Sequence, residues 1–253
     1  MTSTPTRNKK TAGSSTTSMD VPQIRLSGQA AAPVGPVDMS MMYLMHHAFR
    51  RDLAAFAAAV PATPLEDRDV WLAMQQRWGV FADALHHHHE GEDEHLWPVL
   101  SARVTDEERV TLEAMESEHG EIDPALEACA AGLDRMVEHP DADTRAALAV
   151  RMTAAKESLA RHLFHEETET IAILQRVLTQ ADWEAIDEKF KEGVSFGKIL
   201  RLVPWVLHEV PAEVRDQLFA EPGGAAHRIV WLLTRGRFAR QDRRAFRHLV
   251  AAG

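Results

Sequence analysis

The sequence predicts an all-α protein, an antiparallel four-helix bundle with a helical extension at its C-terminal end. Three observations predict this fold. Apolar residues recur every three or four positions over four long segments between Asp38 and Val177, as in helices that bury one face. Strand-like alternation is missing from the sequence, and the connections between these segments are short, as in bundles. The 253 residues are 45% hydrophobic and 26% charged, which is typical of folded globular proteins.

Residues 1–36 precede the first predicted helix. They are rich in Ser, Thr, Gly and Pro and carry no apolar periodicity, so we expect a disordered arm whose removal leaves the fold unchanged. The first helix begins near Asp38 and ends near Pro61. Its inward positions share one apolar stripe: Met39, Met42, His46, Phe49, Leu53, Phe56 and Val60.

Three further helices complete the predicted bundle. Capping boxes at Thr63–Glu66 and at Thr105–Glu108 open the second and third helices. The dipeptide Pro140-Asp141 separates the third helix from the fourth. Pro98 and Pro124 fall inside the second and third helices, where each is expected to remove one backbone hydrogen bond. The inward stripes contain Trp71, Trp78, Phe81, Leu85, His88, Glu92 and Val99 on the second helix, Leu112, Met115, His119, Ile122, Leu126 and Leu133 on the third, and Met152, Leu159, His162, Glu166, Ile173 and Val177 on the fourth.

A third capping motif, Thr179–Asp182, predicts a fifth helix through Phe190, and Gly193 then marks a boundary. The sequence therefore divides into an arm (1–36), a bundle domain (37–192) and a helical extension (193–253). We expect the extension to dock on the bundle through Trp205 and Trp231, with its arginines adding a salt-dependent attraction.

Charge divides the chain in the same way. Residues 38–192 carry 14 Lys and Arg against 32 Asp and Glu, a net charge of −18, whereas residues 193–253 carry 10 against 5, a net charge of +5. An acidic body argues against nucleic acid as a partner. The single cysteine, Cys129, excludes an internal disulfide and a cysteine-based zinc cage. No apolar run approaches the length of a membrane span or of a signal sequence, so we expect a cytoplasmic protein.

A duplicated histidine pattern lies on the four inward stripes. His46 is followed by apolar residues at offsets of three and seven, and so is His119. His88 and His162 are each followed by glutamate four residues later, at Glu92 and Glu166. Residues four apart lie on the same helix face, so four imidazoles and two carboxylates can reach one centre. This set exceeds the needs of one tetrahedral zinc ion. It suits two metal ions bridged by the glutamates, with iron favoured and manganese as the alternative.

Other pairings are available from the sequence. On the second helix, His86 could pair with Glu90 and His89 with Asp93, and on the fourth His165 could pair with Glu169. We prefer His88 because it continues the apolar stripe, and we expect the remaining histidines to be solvated or to lie outside the ligand set. A ferritin-like site would instead use Glu-x-x-His pairs, Glu92 with His95 and Glu116 with His119, but the other two helices then offer histidines where glutamates are needed.

Four segments resemble the hemerythrin-like family of HHE cation-binding domains, in its bacterial form: MHHAFRRDL, HHHHEGEDEHLWPVL, ESEHGEIDPALE and RHLFHEETETIAIL. The resemblance covers about Asp38 to Glu192 and implies a bundle that holds two non-haem iron ions, oxo- or hydroxo-bridged. It assigns the ligands to His46, His88, Glu92, His119, His162 and Glu166. Where the invertebrate oxygen carriers have a second histidine on the third helix, this chain has Asp123, which either binds metal or accepts a hydrogen bond.

The resemblance leads us to expect a protein that binds or senses a small oxidant: dioxygen, peroxide or nitric oxide. There are two alternatives: an oxidoreductase that consumes peroxide or nitric oxide, and an iron storage protein. Whether the chain is an enzyme stays open. The C-terminal helices could contact a protein partner. Tyr43, three residues before His46, either points at the metals or packs at the bundle end.

Overall fold

The computed structural model describes residues 20–249. Four helical stretches form the bundle: α1 (Ser40–Ala62); α2 (Arg68–Gly91) with a π-helical turn (Glu92–Leu96) and α3 (Trp97–Ser101); α4 (Asp106–Glu138); and α5 (Ala142–His165) with a second π-helical turn (Glu166–Thr170) and α6 (Ile171–Val177). The most extensive helix–helix contacts in the bundle are those of α4 with α5, α1 with α5 and α2 with α4. The predicted all-α bundle is confirmed.

Two of the three predicted capping boxes are present. Thr105 caps α4 with Glu108, and Thr179 caps α7 (Gln180–Lys191) with Asp182. The box predicted at Thr63 is wrong: the Thr63 backbone N–H and hydroxyl both donate to the Ala59 carbonyl oxygen, so this residue ends α1. The next helix, α2, begins four residues after Pro64, at Arg68.

The two interior prolines are accommodated differently. Pro124 lies within α4, which continues through it as one 33-residue helix. Pro98 is the second residue after the first π-helical turn, at the second position of α3. The α-helical hydrogen-bond pattern has already changed there, so the missing proline N–H interrupts less of the helix.

Residues 20–39 are an ordered loop that turns at residues 27–28 and folds back on itself against the bundle, which the prediction of a disordered arm did not anticipate. Val21 N–H donates to the Gly35 carbonyl (2.8 Å), and Gln23 donates to the Val37 carbonyl (2.8 Å). Gln175 of α6 bonds both the N–H and the carbonyl of Val37. The side-chain amides of Gln23 and Gln175 hold this backbone in place. Hydrogen bonds of this kind produce no apolar periodicity, so the sequence pattern did not predict the ordered segment. The remainder of the predicted arm, residues 1–19, lies outside the described residues.

The extension contains α8 (Phe196–Val206), α9 (Ala212–Ala220) and α10 (Gly224–Ala245), and it packs on α1 and α2. Trp205 is fully buried, as expected for a docking residue. Trp231 was wrongly predicted to contact the bundle: its ring lies 5.7 Å from that of Phe219 on α9. None of the described helices is long and apolar enough to cross a membrane.

Candidate metal centre

Five histidines and two glutamates meet in the bundle core. His46 lies on α1, His88 and His89 on α2, His119 on α4 and His162 on α5. Glu92 and Glu166 are the first residues of the two π-helical turns. The side chains of all seven residues are buried. They form two groups, which we call the two-histidine group (His46, His88, Glu92, Glu166) and the three-histidine group (His89, His119, His162).

Within each group the potential ligand atoms all lie within 4.8 Å of one another. In the two-histidine group, His46 Nε2 is 3.1 Å from Glu166 Oε2, and His88 Nε2 is 3.2 Å from Glu92 Oε1. Each imidazole therefore faces one carboxylate at a distance that leaves no room for a water molecule between them.

In the three-histidine group, His119 Nε2 lies 3.3 Å from His162 Nε2, and the His89 and His119 rings stack with centroids 3.9 Å apart. Both glutamates also face this group. Glu92 Oε2 is 3.5 Å from His119 Nε2, and Glu166 Oε2 is 3.9 Å from His162 Nε2. The two carboxylates thus lie between the groups, as bridging ligands would.

A π-helical turn begins at the glutamate of each His-x-x-x-Glu pair. In both turns a backbone N–H bonds the glutamate carbonyl five residues earlier, from Trp97 to Glu92 and from Ile171 to Glu166. Such turns insert one residue into an α-helix and are frequent at functional sites. Their matched positions extend the two-fold pattern of the sequence to the backbone.

In four of the five histidines, the N–H group at the outer ring nitrogen, Nδ1, donates a hydrogen bond to a carboxylate. His46 bonds Glu167 (2.9 Å), and His119 bonds Asp93 (2.8 Å). The corresponding bonds of the other two histidines are His162 to Glu118 (2.8 Å) and His89 to Asp123 (3.2 Å). A carboxylate on Nδ1 fixes the tautomer that leaves the Nε2 lone pair free, as is typical of metal-binding histidines.

Six inner polar atoms make no hydrogen bond within the described residues, although some of them lie within ion-pair distance of one another. These atoms are Nε2 of His46, His88 and His89, both carboxylate oxygens of Glu92, and Oε2 of Glu166. Buried polar groups are normally paired, and leaving one unpaired costs about 1–3 kcal/mol. Six such atoms converging on one core fit a set of ligands for cations.

The pKa shifts agree with that interpretation. Burial, with a contribution from neighbouring imidazoles, lowers the pKa of His88 well below its usual value and that of His89 to about 4, so both imidazoles are neutral at neutral pH. Burial and the charge of Glu166 raise the pKa of Glu92. Burial alone would lower the pKa of His46, but Glu166 and Glu167 outweigh it and raise the value to about 9. Without cations, the acidic core therefore retains protons.

All six sequence-predicted site residues lie in this core. His89 was expected to be solvated or to lie outside the ligand set, but it is buried beside His119 and His162. The rejected alternatives lie further out: His86 is exposed, and His165 bonds Glu118 (2.9 Å). A ferritin-like site requires His95 and Glu116. His95 is partly exposed, Glu116 is exposed, and neither belongs to the two histidine groups.

The structure places the two neighbouring residues whose roles the sequence left open. Asp123 accepts a hydrogen bond from the outer nitrogen of His89, Nδ1. Tyr43 is buried, and its hydroxyl has no partner among the described residues. Burial and then the charges of Glu167 and Glu166 raise the pKa of Tyr43, so its hydroxyl stays protonated.

Residues 38–174 match the hemerythrin HHE cation binding domain, more than half of the chain. The chain belongs to this family. The matched residues run from just before α1 to the middle of α6 and include every member of the two histidine groups. No curated protein and no solved structure gives a significant match to this HHE-domain chain. The family and the His/Glu core together indicate a cation-binding protein.

Proposed function

We propose that this HHE-domain protein holds two non-haem iron ions and uses them to bind and sense a small oxidant. The observation that carries the proposal is the pair of glutamates between two groups of inward-facing imidazoles. The two-histidine group would hold one ion and the three-histidine group the other, with Glu92 and Glu166 shared. Nitrogen and oxygen donors in this mixture suit iron, with manganese as the alternative.

The ions would supply an electron source and a Lewis acid for dioxygen, peroxide or nitric oxide. The surrounding side chains would determine at which of the two groups such a ligand binds. The two-histidine group offers one imidazole fewer, which leaves more space for an exogenous ligand on that side. The Tyr43 hydroxyl, buried and without a partner among the described residues, would donate a hydrogen bond to a ligand bound there.

A contact path from the core to the C-terminal extension favours sensing. The Phe49 ring lies 5.3 Å from that of His88 and 5.6 Å from that of Trp205 on α8. Trp205 in turn donates to Asp52 (2.8 Å), which also pairs with Arg77. A change in the position of His88 would therefore reach α8 through Phe49 and alter how the extension is docked, and the extension would then offer a changed surface to a protein partner. The competing function is an oxidoreductase that consumes peroxide or nitric oxide; iron storage is the third.

Metal content and single-turnover kinetics test the proposal. After anaerobic loading, we expect about two irons per chain and, on oxidation, near-ultraviolet charge-transfer absorption of the ferric pair. A single zinc ion per chain, or no bound metal, would contradict it. Stopped-flow mixing with an excess of peroxide or nitric oxide, in the presence of a chemical reductant as electron donor, separates the functions: one stoichiometric spectral change indicates a sensor, whereas many turnovers per chain indicate the oxidoreductase.

A further inference from the structure

A groove lined with arginines lies between α2, α8 and α10. It encloses about 600 Å³, within the range of about 300–1,000 Å³ that small-molecule sites occupy. We call it the arginine groove. Its charged lining is Arg77, Arg201, Arg237 and Arg244, and its apolar lining includes Val80, Leu200, Pro204 and Phe238.

The charge of the arginine groove is opposite to that of the protein. Four arginines line it and no Asp or Glu does, although the chain carries a net charge of −10. Arg77 is already paired with Asp52, and Arg244 lies 3.2 Å from Asp69. Arg201 and Arg237 make no ion pair within residues 20–249, so two guanidinium groups remain available to an anion.

The apolar part of the lining restricts what that anion is. Inorganic phosphate would satisfy the guanidinium groups and leave the apolar floor in contact with water. A neutral alkyl chain would cover the floor and leave the arginines without a partner. A molecule with both parts uses both kinds of lining, since guanidinium groups bind carboxylates in bidentate fashion and alkyl burial contributes about 0.8 kcal/mol per methylene group.

The groove continues past Arg201 into a second hollow of about 350 Å³. Arg201, Gln76 and Val80 line both spaces, and Lys198 adds another cation at this end. The one carboxylate there is Asp83. A head group at Arg201 would therefore have room for an alkyl chain on the floor of the larger space.

We propose that the arginine groove binds an amphipathic organic anion, a medium-chain carboxylate or the equivalent part of an anionic lipid. This binding is separate from the metal centre and does not depend on the proposed function. The groove is built from the bundle helix α2 and both docked helices of the extension, so it exists only when the extension is packed on the bundle.

Isothermal titration of the full-length protein with octanoate tests this proposal, with octan-1-ol and inorganic phosphate as half-ligands. We expect saturable one-to-one binding of octanoate and weaker binding of each half-ligand. The double variant Arg201→Gln/Arg237→Gln should lower octanoate affinity at least about tenfold, since it removes charge-assisted hydrogen bonds. The matched control Arg240→Gln/Arg243→Gln removes two exposed charges from α10 outside the groove and should change affinity less than about twofold.

Several outcomes would overturn the site: no saturable octanoate binding, equal losses in the two double variants, or octan-1-ol binding as tightly as octanoate. Vesicles of phosphatidylglycerol in phosphatidylcholine distinguish a free amphiphile from a lipid. Vesicle binding that octanoate displaces supports a lipid as the source of the anion. Vesicle binding with no octanoate binding would replace the groove by a membrane-facing surface.

Discussion

His88 and His89 are consecutive residues of α2, yet both imidazoles point into the bundle core, with ring centroids 6.1 Å apart. Consecutive helical residues diverge by about 100°, so the two rings enter different halves of the site. His88 faces Glu92 and His46, whereas His89 faces His119 and His162. One helix thereby supplies an imidazole to each half.

His89→Ala tests whether this second imidazole binds metal. The variant leaves only His119 and His162 in the three-histidine group, so we expect metal content to fall from about two ions per chain to about one. The measurement is iron per chain after anaerobic loading and desalting. The matched control is His86→Ala, which removes an exposed imidazole three residues away on the same helix and should keep both ions. Full loading of the His89 variant would show that its imidazole only packs in the core.

The sequence predicted the helices of the bundle more completely than it predicted which histidines lie in the core. Periodicity located the four bundle helices because their core stripes are continuous and apolar. It also located His46, His88, His119 and His162, since each lies on such a stripe. His89 lies beside the apolar stripe of α2. Because consecutive helical residues point in different directions, the stripe pattern could place only one of His88 and His89 in the core. A signal was present nonetheless: Asp123 stands where a further imidazole would come from α4, and in the structure it bonds His89. The π-helical turns depend on tertiary packing and have no marker in the sequence.

Glu118→Gln tests the carboxylates that hold the outer nitrogens. Glu118 accepts hydrogen bonds from Nδ1 of both His162 (2.8 Å) and His165 (2.9 Å). A neutral amide would orient His162 less firmly and make it a weaker ligand, and such changes typically cost about 10- to 100-fold in metal affinity. Competition with a chelator measures the loss. Glu116→Gln, an exposed residue of the same helix, is the control, and equal affinities in the two variants would argue against this role.

Deletion of residues 1–36 tests the ordered segment before α1. Ala30 N–H donates to Glu167 (2.6 Å), whose carboxylate also bonds His46 and Arg50. Removing a hydrogen bond to a buried charged group costs about 1.5–3 kcal/mol, so the free energy of unfolding should fall by at least that amount. Urea denaturation measures it. Deletion of residues 1–19 removes none of the described contacts and serves as the comparison. Equal stability of both truncated proteins would restore the expectation of a dispensable arm.

Asp52 holds the extension on the bundle, and Asp52→Asn tests its contribution. The buried carboxylate accepts hydrogen bonds from Arg77 (2.7 and 3.0 Å) and from Trp205 of α8 (2.8 Å). Arg51 donates to the same group (2.7 Å). Asparagine keeps the shape and removes the charge, so the buried Arg77 would lose its closest counter-ion and keep only Asp242, at 3.4 Å. Breaking a buried pair in this way costs about 3–5 kcal/mol.

The loss should appear first in the docking of α8 and α10. We expect limited proteolysis between residues 193 and 211 to accelerate while metal content stays unchanged, because Asp52 belongs to neither histidine group. Asp69→Asn is the matched control: its pair with Arg244 also joins α2 to the extension, but both side chains are exposed. Exposed pairs contribute about 0–1 kcal/mol, so this variant should be cleaved almost as slowly as the unmodified protein.

Acid should reproduce the effect of the substitution. Burial alone would raise the pKa of Asp52, but Arg51 and Arg77 outweigh it and hold the pKa below its usual value. A carboxyl group with a lowered folded-state pKa contributes stability above its unfolded pKa of about 3.9, and this stability is lost as pH falls through the folded value. Cleavage of the unmodified protein by an acid-active protease should therefore accelerate below about pH 4, and the Asp52→Asn variant should be cleaved rapidly at neutral pH already. If the variant resists cleavage at neutral pH as well as the Asp69 control does, apolar contacts of Trp205 hold the extension without the buried charge.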